Sequence, residues 1–233
     1  MNSAEHDFLR ERYASVRDRL AEAVRRSGRP VEAVELVAVS KFHKAEHIRA
    51  VAGAGQRLFG ESYVQEGLVK QAELADLDLE WHFIGGLQTN KAKDVTGRFA
   101  LVHTVDSVRL ADTLSRRLPS GVQRVLLEIN VGGEHQKAGV PPEDAEALAE
   151  AVLALPNLDL QGLMCIPPLN DEPEESRKAF AALRDLRDRL SGRLSKPLPC
   201  LSMGMSGDFV QAVEEGATLV RIGTDIFGPR PAR

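Results

Sequence analysis

Cysteine is scarce: Cys165 and Cys200 are the only two in 233 residues. Neither belongs to a CxxC pair, so neither a disulfide framework nor a zinc site is expected, and no metal-binding residues are assigned. Long apolar runs are also missing, which excludes a helix able to span a bilayer. The first residues, Met1 to Asp7 (MNSAEHD), are polar and acidic where a signal peptide would be apolar. There is no excess of basic charge either. Thirty Lys and Arg against 34 Asp and Glu leave a net charge of −4, so no global field attracts nucleic acid or an anionic membrane. No linker, low-complexity tract or charge block interrupts the chain. These absences predict one cytoplasmic domain over residues 1–233.

What is present is a core-forming share of apolar residues, 43%, arranged with a regular rhythm. Phe8, Tyr13, Val16, Leu20 and Val24 recur at helical spacing among many charges, and Gly28-Arg29-Pro30 stops that helix. Leu36 to Ser40 (LVAVS) is short and apolar on both faces, as a parallel strand covered on both sides reads. The alternation then repeats. Helices are expected near 44–54, 62–75, 88–97, 107–118, 142–154, 173–190 and 207–215. Strands are expected at 57–60, 81–85, 100–104, 124–129, 158–163, 198–201 and 218–223. Eight strands alternating with helices imply right-handed parallel crossovers. In about 200 residues this predicts a single α/β domain, a (β/α)₈ TIM barrel with an extra N-terminal helix. A doubly wound open sheet is the alternative.

In such a barrel the residues just past each strand form the active face. Lys41 follows the first strand and shares parity with Val37 and Val39. If those valines fill the interior, Lys41 reaches the mouth, where desolvation would expose a nucleophilic amine able to form an imine. A solvated loop lysine is the plain alternative. Ser202 to Asp208 (SMGMSGD) offers two glycines and Ser206, read as a helix N-cap and an anion donor; a ligand-free glycine-rich cap has the same composition. Val220 to Thr224 (VRIGT) places Gly223 and Thr224 after strand eight. The loops after strands seven and eight are the usual phosphate site of this barrel. Arg221 has the parity of Leu219 and would point inward, toward a ligand or a neighbouring strand's acid. His82 reads as a hydrogen-bonded core histidine rather than a base. His43, His47 and His103 lack metal-ligand spacing with one another. Lys137 lies in a glycine-rich loop that could reach the mouth.

Several longer stretches, LVAVSK (36–41), FGESYVQE (59–66), EWHFIGGLQTNK (80–91), VHTVD (102–106), GLMCIP (162–167), LSMGMS (201–206) and VRIGTDIFG (220–228), together resemble the pyridoxal phosphate homeostasis proteins almost end to end. That family is similar to the N-terminal barrel of alanine racemase without its second domain. The resemblance implies that Lys41 forms a Schiff base with pyridoxal 5′-phosphate (PLP). It further implies that Ser206, Gly223 and Thr224 hold the phosphate and that Arg221 lies beside the pyridine nitrogen. The chain departs from the family at Ser62, where Asn is usual, at Gly86, where Pro is common, and at Phe42, where Thr is usual. The second lysine near the first is displaced to Lys44.

The function expected is therefore PLP binding in vitamin B6 homeostasis, without amino-acid turnover and with no catalytic residues. Partners would be PLP and PLP-dependent apoenzymes, and the protein would be a monomer. The alternative enzyme is a racemase. Racemases of this barrel need an opposing tyrosine from a second domain, and this chain has only Tyr13 and Tyr63. A barrel for another phosphorylated metabolite is the third class.

Overall fold

The computed structural model describes residues 3–118, 120–134, 137–168 and 172–229. Helix α1 (Ser3–Arg26) precedes strand β1 (Glu35–Val39). The chain then runs α2 (Ala45–Gly53), β2 (Leu58–Glu61), α3 (Val64–Glu73), β3 (Glu80–Phe83), α4 (Ala92–Val95) and β4 (Leu101–Val105). It continues α5 (Val108–Arg117), β5 (Gln123–Glu128), α6 (Ala145–Leu153), β6 (Leu158–Met164), α7 (Arg177–Arg193), β7 (Cys200–Ser202), α8 (Phe209–Glu214), β8 (Leu219–Ile222) and α9 (Thr224–Phe227). All strand pairs are parallel, and β1 pairs with both β2 and β8, so the sheet closes into an eight-stranded barrel. The open-sheet alternative is excluded by that closure.

Strand parity divides the core. Leu36, Ala38, Phe59, Trp81, Phe83, Val125 and Leu127 face outward and join the helices in the main hydrophobic layer. Val37, Leu101, Leu126, Met164 and Leu219 face inward and form a separate cluster on the barrel axis. The expected parity of Val37 and Val39 with Lys41 is thus realised, with Val37 fully buried and Val39 lining the mouth. In β6 a register shift falls at Leu160/Gly162 against β5. There β7 comes so close that a Cβ on Gly162 would lie 1.9 Å from the Cys200 carbonyl oxygen, which leaves room for hydrogen alone.

Three local expectations change. The stripe of α1 is led by buried Leu9, whereas Phe8 is exposed with Arg12 over its ring. The helix expected over 88–97 is a 3₁₀ turn at Thr89–Lys91 and a single α turn, because Gly97 at φ +73 ends it at once. The extra turn α9 continues directly from β8 through Gly223.

Substituting Gly162 tests the β6–β7 approach. Gly162→Ala should lower stability by about 3 kcal/mol, the upper end of what overpacking costs, because backbone rather than a side chain must move. Urea unfolding of the two proteins measures it, and an unchanged midpoint would mean that the strands lie further apart.

Candidate functional site

A cavity of about 240 Å³ opens at the C-terminal mouth of the barrel. Val39, Lys41, Ser62, Ile84, Ile166, Met205, Ser206, Gly207, Arg221, Gly223 and Thr224 line it. All five residues singled out from the sequence, Lys41, Ser206, Arg221, Gly223 and Thr224, therefore meet at one place. They come from three loops and one strand, and the closure of β1 against β8 brings them together.

Lys41 is half-buried one residue beyond Ser40, and the turn that carries it is pinned from beneath. Ser40 donates its hydroxyl to Glu61 Oε1 at 2.7 Å. Lys70, on α3, donates Nζ to Glu61 Oε1 at 2.7 Å, to Glu66 Oε1 at 2.6 Å and to the Ser40 carbonyl at 2.7 Å. The Phe42 N–H donates to Glu66 at 2.5 Å. Phe42 is held at φ +69, a conformation that bulky residues avoid, and its ring packs 5.1 Å from that of Tyr63. Burial pushes the Glu61 carboxyl up, and Lys70 draws it back down. This seat was not anticipated from sequence; its one local signal is the i,i+4 spacing of Glu66 and Lys70.

The glycine loops after β7 and β8 lie across the cavity from that turn. Gly204 has φ +91, and a Cβ there would come 2.5 Å from Ala212 Cβ, so the loop hugs α8. A Cβ on Gly207 would meet nothing within 4 Å, so this glycine leaves one wall of the cavity open. The N-cap of α8 is Asp208 rather than Ser206, and its side chain accepts from the Met205 N–H at 2.7 Å. Ser206 is thereby left to the cavity, where, among the described residues, its Oγ accepts only a long 3.4 Å bond from the Asp225 N–H. Helix α1 clamps the second loop. Arg12 donates to the carbonyls of Thr224, Asp225 and Ile226 at 2.5–3.2 Å, and Arg19 neutralises Asp225 at 2.7 Å. Without Arg19, Asp225 would oppose any anion bound at Ser206.

Arg221 enters the interior as its parity predicted and is 5% exposed. It meets no carboxylate at ion-pair distance among the described residues. Its NH1 donates to Ser202 Oγ at 2.6 Å and its NH2 to the Cys165 carbonyl at 2.8 Å. Burial lowers its pKa. Glu128, at the inward end of β5, went unnoticed in the sequence. Burial and the like charge of Asp106 raise its carboxyl to about 7, against the pull of Arg221.

Other candidates fall elsewhere. Lys44 precedes α2 and lines a separate surface groove between α2 and α3. Lys137 pairs with Glu134 at 2.5 Å and with the Pro167 carbonyl at 3.2 Å, and it does not line the cavity. His135 and Gln136 of its loop lie outside the described residues. His82 is a buried, hydrogen-bonded core histidine, as expected. His43 stacks on Phe227, and burial, with His47 beside it, holds its pKa down to about 4. No group of histidine, cysteine and acid able to hold a metal occurs among the described residues.

An amine, two hydroxyl-bearing glycine loops and a fixed guanidinium around one mouth define a (β/α)₈ barrel with a lysine at the centre of its candidate site. The family model for the alanine racemase N-terminal domain matches residues 13–231. A pyridoxal phosphate homeostasis protein of Aquifex aeolicus is 49% identical over 222 residues, covering 94% of this chain and 97% of its own. That of Escherichia coli K12 is 41% identical, covering 99% and 98%. Among solved structures, PipY of Synechococcus elongatus with PLP bound is 40% identical at a TM-score of 0.82, covering 94% of this chain and all of its own. Alanine racemase of Corynebacterium glutamicum, at 18% identity and TM-score 0.75, shares the fold over 62% of its length. The chain belongs to the alanine racemase N-terminal domain family and, within it, to the pyridoxal phosphate homeostasis proteins.

Glu128 supplies a test of the mouth's electrostatics. Its folded pKa of about 7 lies above its ordinary 4.5. Its contribution to stability is therefore full below pH 4.5 and lost as pH rises through 7. Glu128→Gln should gain stability over wild type as pH rises from 5 to 8, by about 3 kcal/mol at most. Urea midpoints of both cofactor-free proteins at the two pH values measure it. An equal difference at both would place Glu128 in solvent.

Proposed function

We propose that this protein binds PLP in the mouth cavity and takes part in intracellular PLP homeostasis, without turning over amino acids. The observation that carries this reading is the convergence of Lys41, Ser206, Arg221, Gly223 and Thr224 on one cavity of about 240 Å³. The residues suit the cofactor: a half-buried amine faces glycine loops whose hydroxyls and open wall suit a phosphate. Bound PLP would bring an electrophilic aldehyde, a dianionic phosphate and a pyridine ring.

In this reading Lys41 anchors the cofactor covalently on a turn that the Glu61–Lys70 pair keeps still. Ser206 and Thr224 donate hydroxyls to the phosphate, and Gly223 permits close backbone approach. The Arg221 guanidinium lies beside the ring nitrogen. A permanent cation there disfavours protonation of the nitrogen and so weakens the ring as an electron sink. Such a site retains the cofactor while giving little help to carbanion chemistry. The recipients are PLP-dependent apoenzymes, and the carrier works as a monomer, since its exposed large apolar residues are scattered over separate elements. The free thiols of Cys165 and Cys200 suit the reducing cytoplasm.

A racemase-type enzyme is favoured by one observation, the 49% exposure of Tyr63 next to Phe42 on the loop after β2. Tyr13 is buried on the inner face of α1 and donates its hydroxyl to Gln56, so it cannot serve. Racemisation of L- or D-alanine and other common amino acids should not rise above a Lys41→Ala control. Sustained turnover that requires Lys41 would overturn the non-enzymatic reading.

Purified protein with stoichiometric PLP should show a visible band that borohydride traps, with the label mapping to Lys41. Lys41→Ala should lose the band yet still bind PLP weakly through the separately built phosphate loops. Ser206→Ala should weaken PLP binding by about 1.5–3 kcal/mol and barely affect pyridoxal, which lacks the phosphate. A full band in Lys41→Ala with the label on Lys44 or Lys137 would unseat Lys41. Equal weakening toward both ligands would remove Ser206 from the phosphate.

A further inference from the structure

Apolar side chains fill only part of the barrel axis. Beside them an unbroken line of polar groups runs the length of the barrel. Arg221 NH1 lies 2.6 Å from Ser202 Oγ, and Ser202 Oγ lies 2.9 Å from His103 Nδ1. His103 Nε2 lies 3.0 Å from His82 Nδ1, and His82 Nε2 lies 3.2 Å from Glu80 Oε1. Arg124 donates to the same Glu80 oxygen at 2.8 Å. The line begins at the cavity and ends at the opposite rim, where Glu80 and Arg124 are about half exposed.

Its proton order follows by elimination. A guanidinium can only donate, so Ser202 Oγ accepts from Arg221. The one hydroxyl proton of Ser202 then goes to His103 Nδ1. Neutral His103 therefore carries its proton on Nε2 and donates to His82 Nδ1. His82 likewise donates from Nε2 to Glu80. With both rings neutral, the reverse order would set a bare His82 nitrogen against a carboxylate. It would also leave the Ser202 proton without an acceptor where Ser202 and His103 are fully buried. Burial keeps both rings neutral. It lowers His103 well below the ordinary range, with His82 and Arg221 adding to the effect, and it lowers His82 against the pull of Glu80. Arg124 on β5 and Glu35 on β1 are the other charges acting on His82.

We propose that this one-way chain, Arg221 to Ser202 to His103 to His82 to Glu80, fixes the Arg221 guanidinium toward the ring nitrogen of the bound cofactor, with Ser202 and His103 as positioning residues. The inference rests on the cofactor reading above. Branched apolar residues could fill the same space without needing any hydrogen bond. They could not hold a guanidinium by one arm. The chain takes NH1, the Cys165 carbonyl takes NH2, and the guanidinium cannot rotate without breaking one of two buried bonds. A neutral imidazole pair also keeps a second cation away from Arg221.

Two measurements decide it. In the cofactor-free protein, nitrogen-15 NMR of the imidazoles at pH 7 should show His82 and His103 neutral and protonated on Nε2. A charged ring or an Nδ1–H tautomer would overturn the chain. Next, affinities are measured for PLP and for its analogue with carbon in place of the ring nitrogen. Ser202→Ala and His103→Leu should each weaken PLP about three- to tenfold and leave the analogue unchanged. His103→Gln, able to accept from Ser202 and donate onward, should recover most of that loss. Equal weakening toward both ligands, or none toward either, would reduce the chain to packing. Wild-type protein that bound neither ligand would overturn the cofactor assignment itself, and the tautomer spectrum would still judge the chain.

Discussion

Closing eight parallel strands on themselves leaves one interior without an edge, and every polar side chain that enters it must find its partner there. The consequences reach most of the site. Arg221 lies inside because β8 alternates, and it is tolerable only because Ser202 and the Cys165 carbonyl accept from it. Ser202 in turn needs His103, and His103 needs His82. The same closure sets β1 beside β8, so that Lys41 lines one cavity with Ser206 and Thr224.

Outside the barrel, two supports hold the mouth from opposite sides. Beneath Lys41, a buried cluster joins β1, β2 and α3 through Lys70, Glu61 and Glu66. Removing one partner would strand the other's charge, so the cluster acts as a lock more than as a source of net stability. On the far side, α1 grips α9 through Arg12 and shields Asp225 with Arg19. The N-terminal helix, which a minimal (β/α)₈ count does not require, thereby organises a loop more than 200 residues away in sequence.

The racemase fold and this one share the barrel but not the length. The chain spans 62% of the Corynebacterium racemase and nearly all of the homeostasis proteins it matches. What the mouth brings together is Lys41, the glycine loops of Ser206 and Thr224, and the buried guanidinium of Arg221.

Much of this was legible in the sequence, and the reason is parity. Alternation along LVAVSK and VRIGT put Lys41 and Arg221 inside, and the order of strands put the glycine loops at one end. The motifs that resemble the homeostasis family added the cofactor. The partners of those residues were not legible. Nothing in the local pattern pairs Glu61 with Lys70 or brings Arg12 and Arg19 to Asp225, because those contacts depend on helices packed from elsewhere in the chain. His82 and His103 are 21 residues apart and meet only when β3 pairs with β4, and Glu128 feels Asp106 and Arg221 only in the folded barrel. Local pattern determined which way each strand residue points, since that follows from backbone geometry alone. Only the tertiary structure decided what each residue meets, because hydrogen-bond partners and pKa shifts depend on distances between strands that no single segment contains.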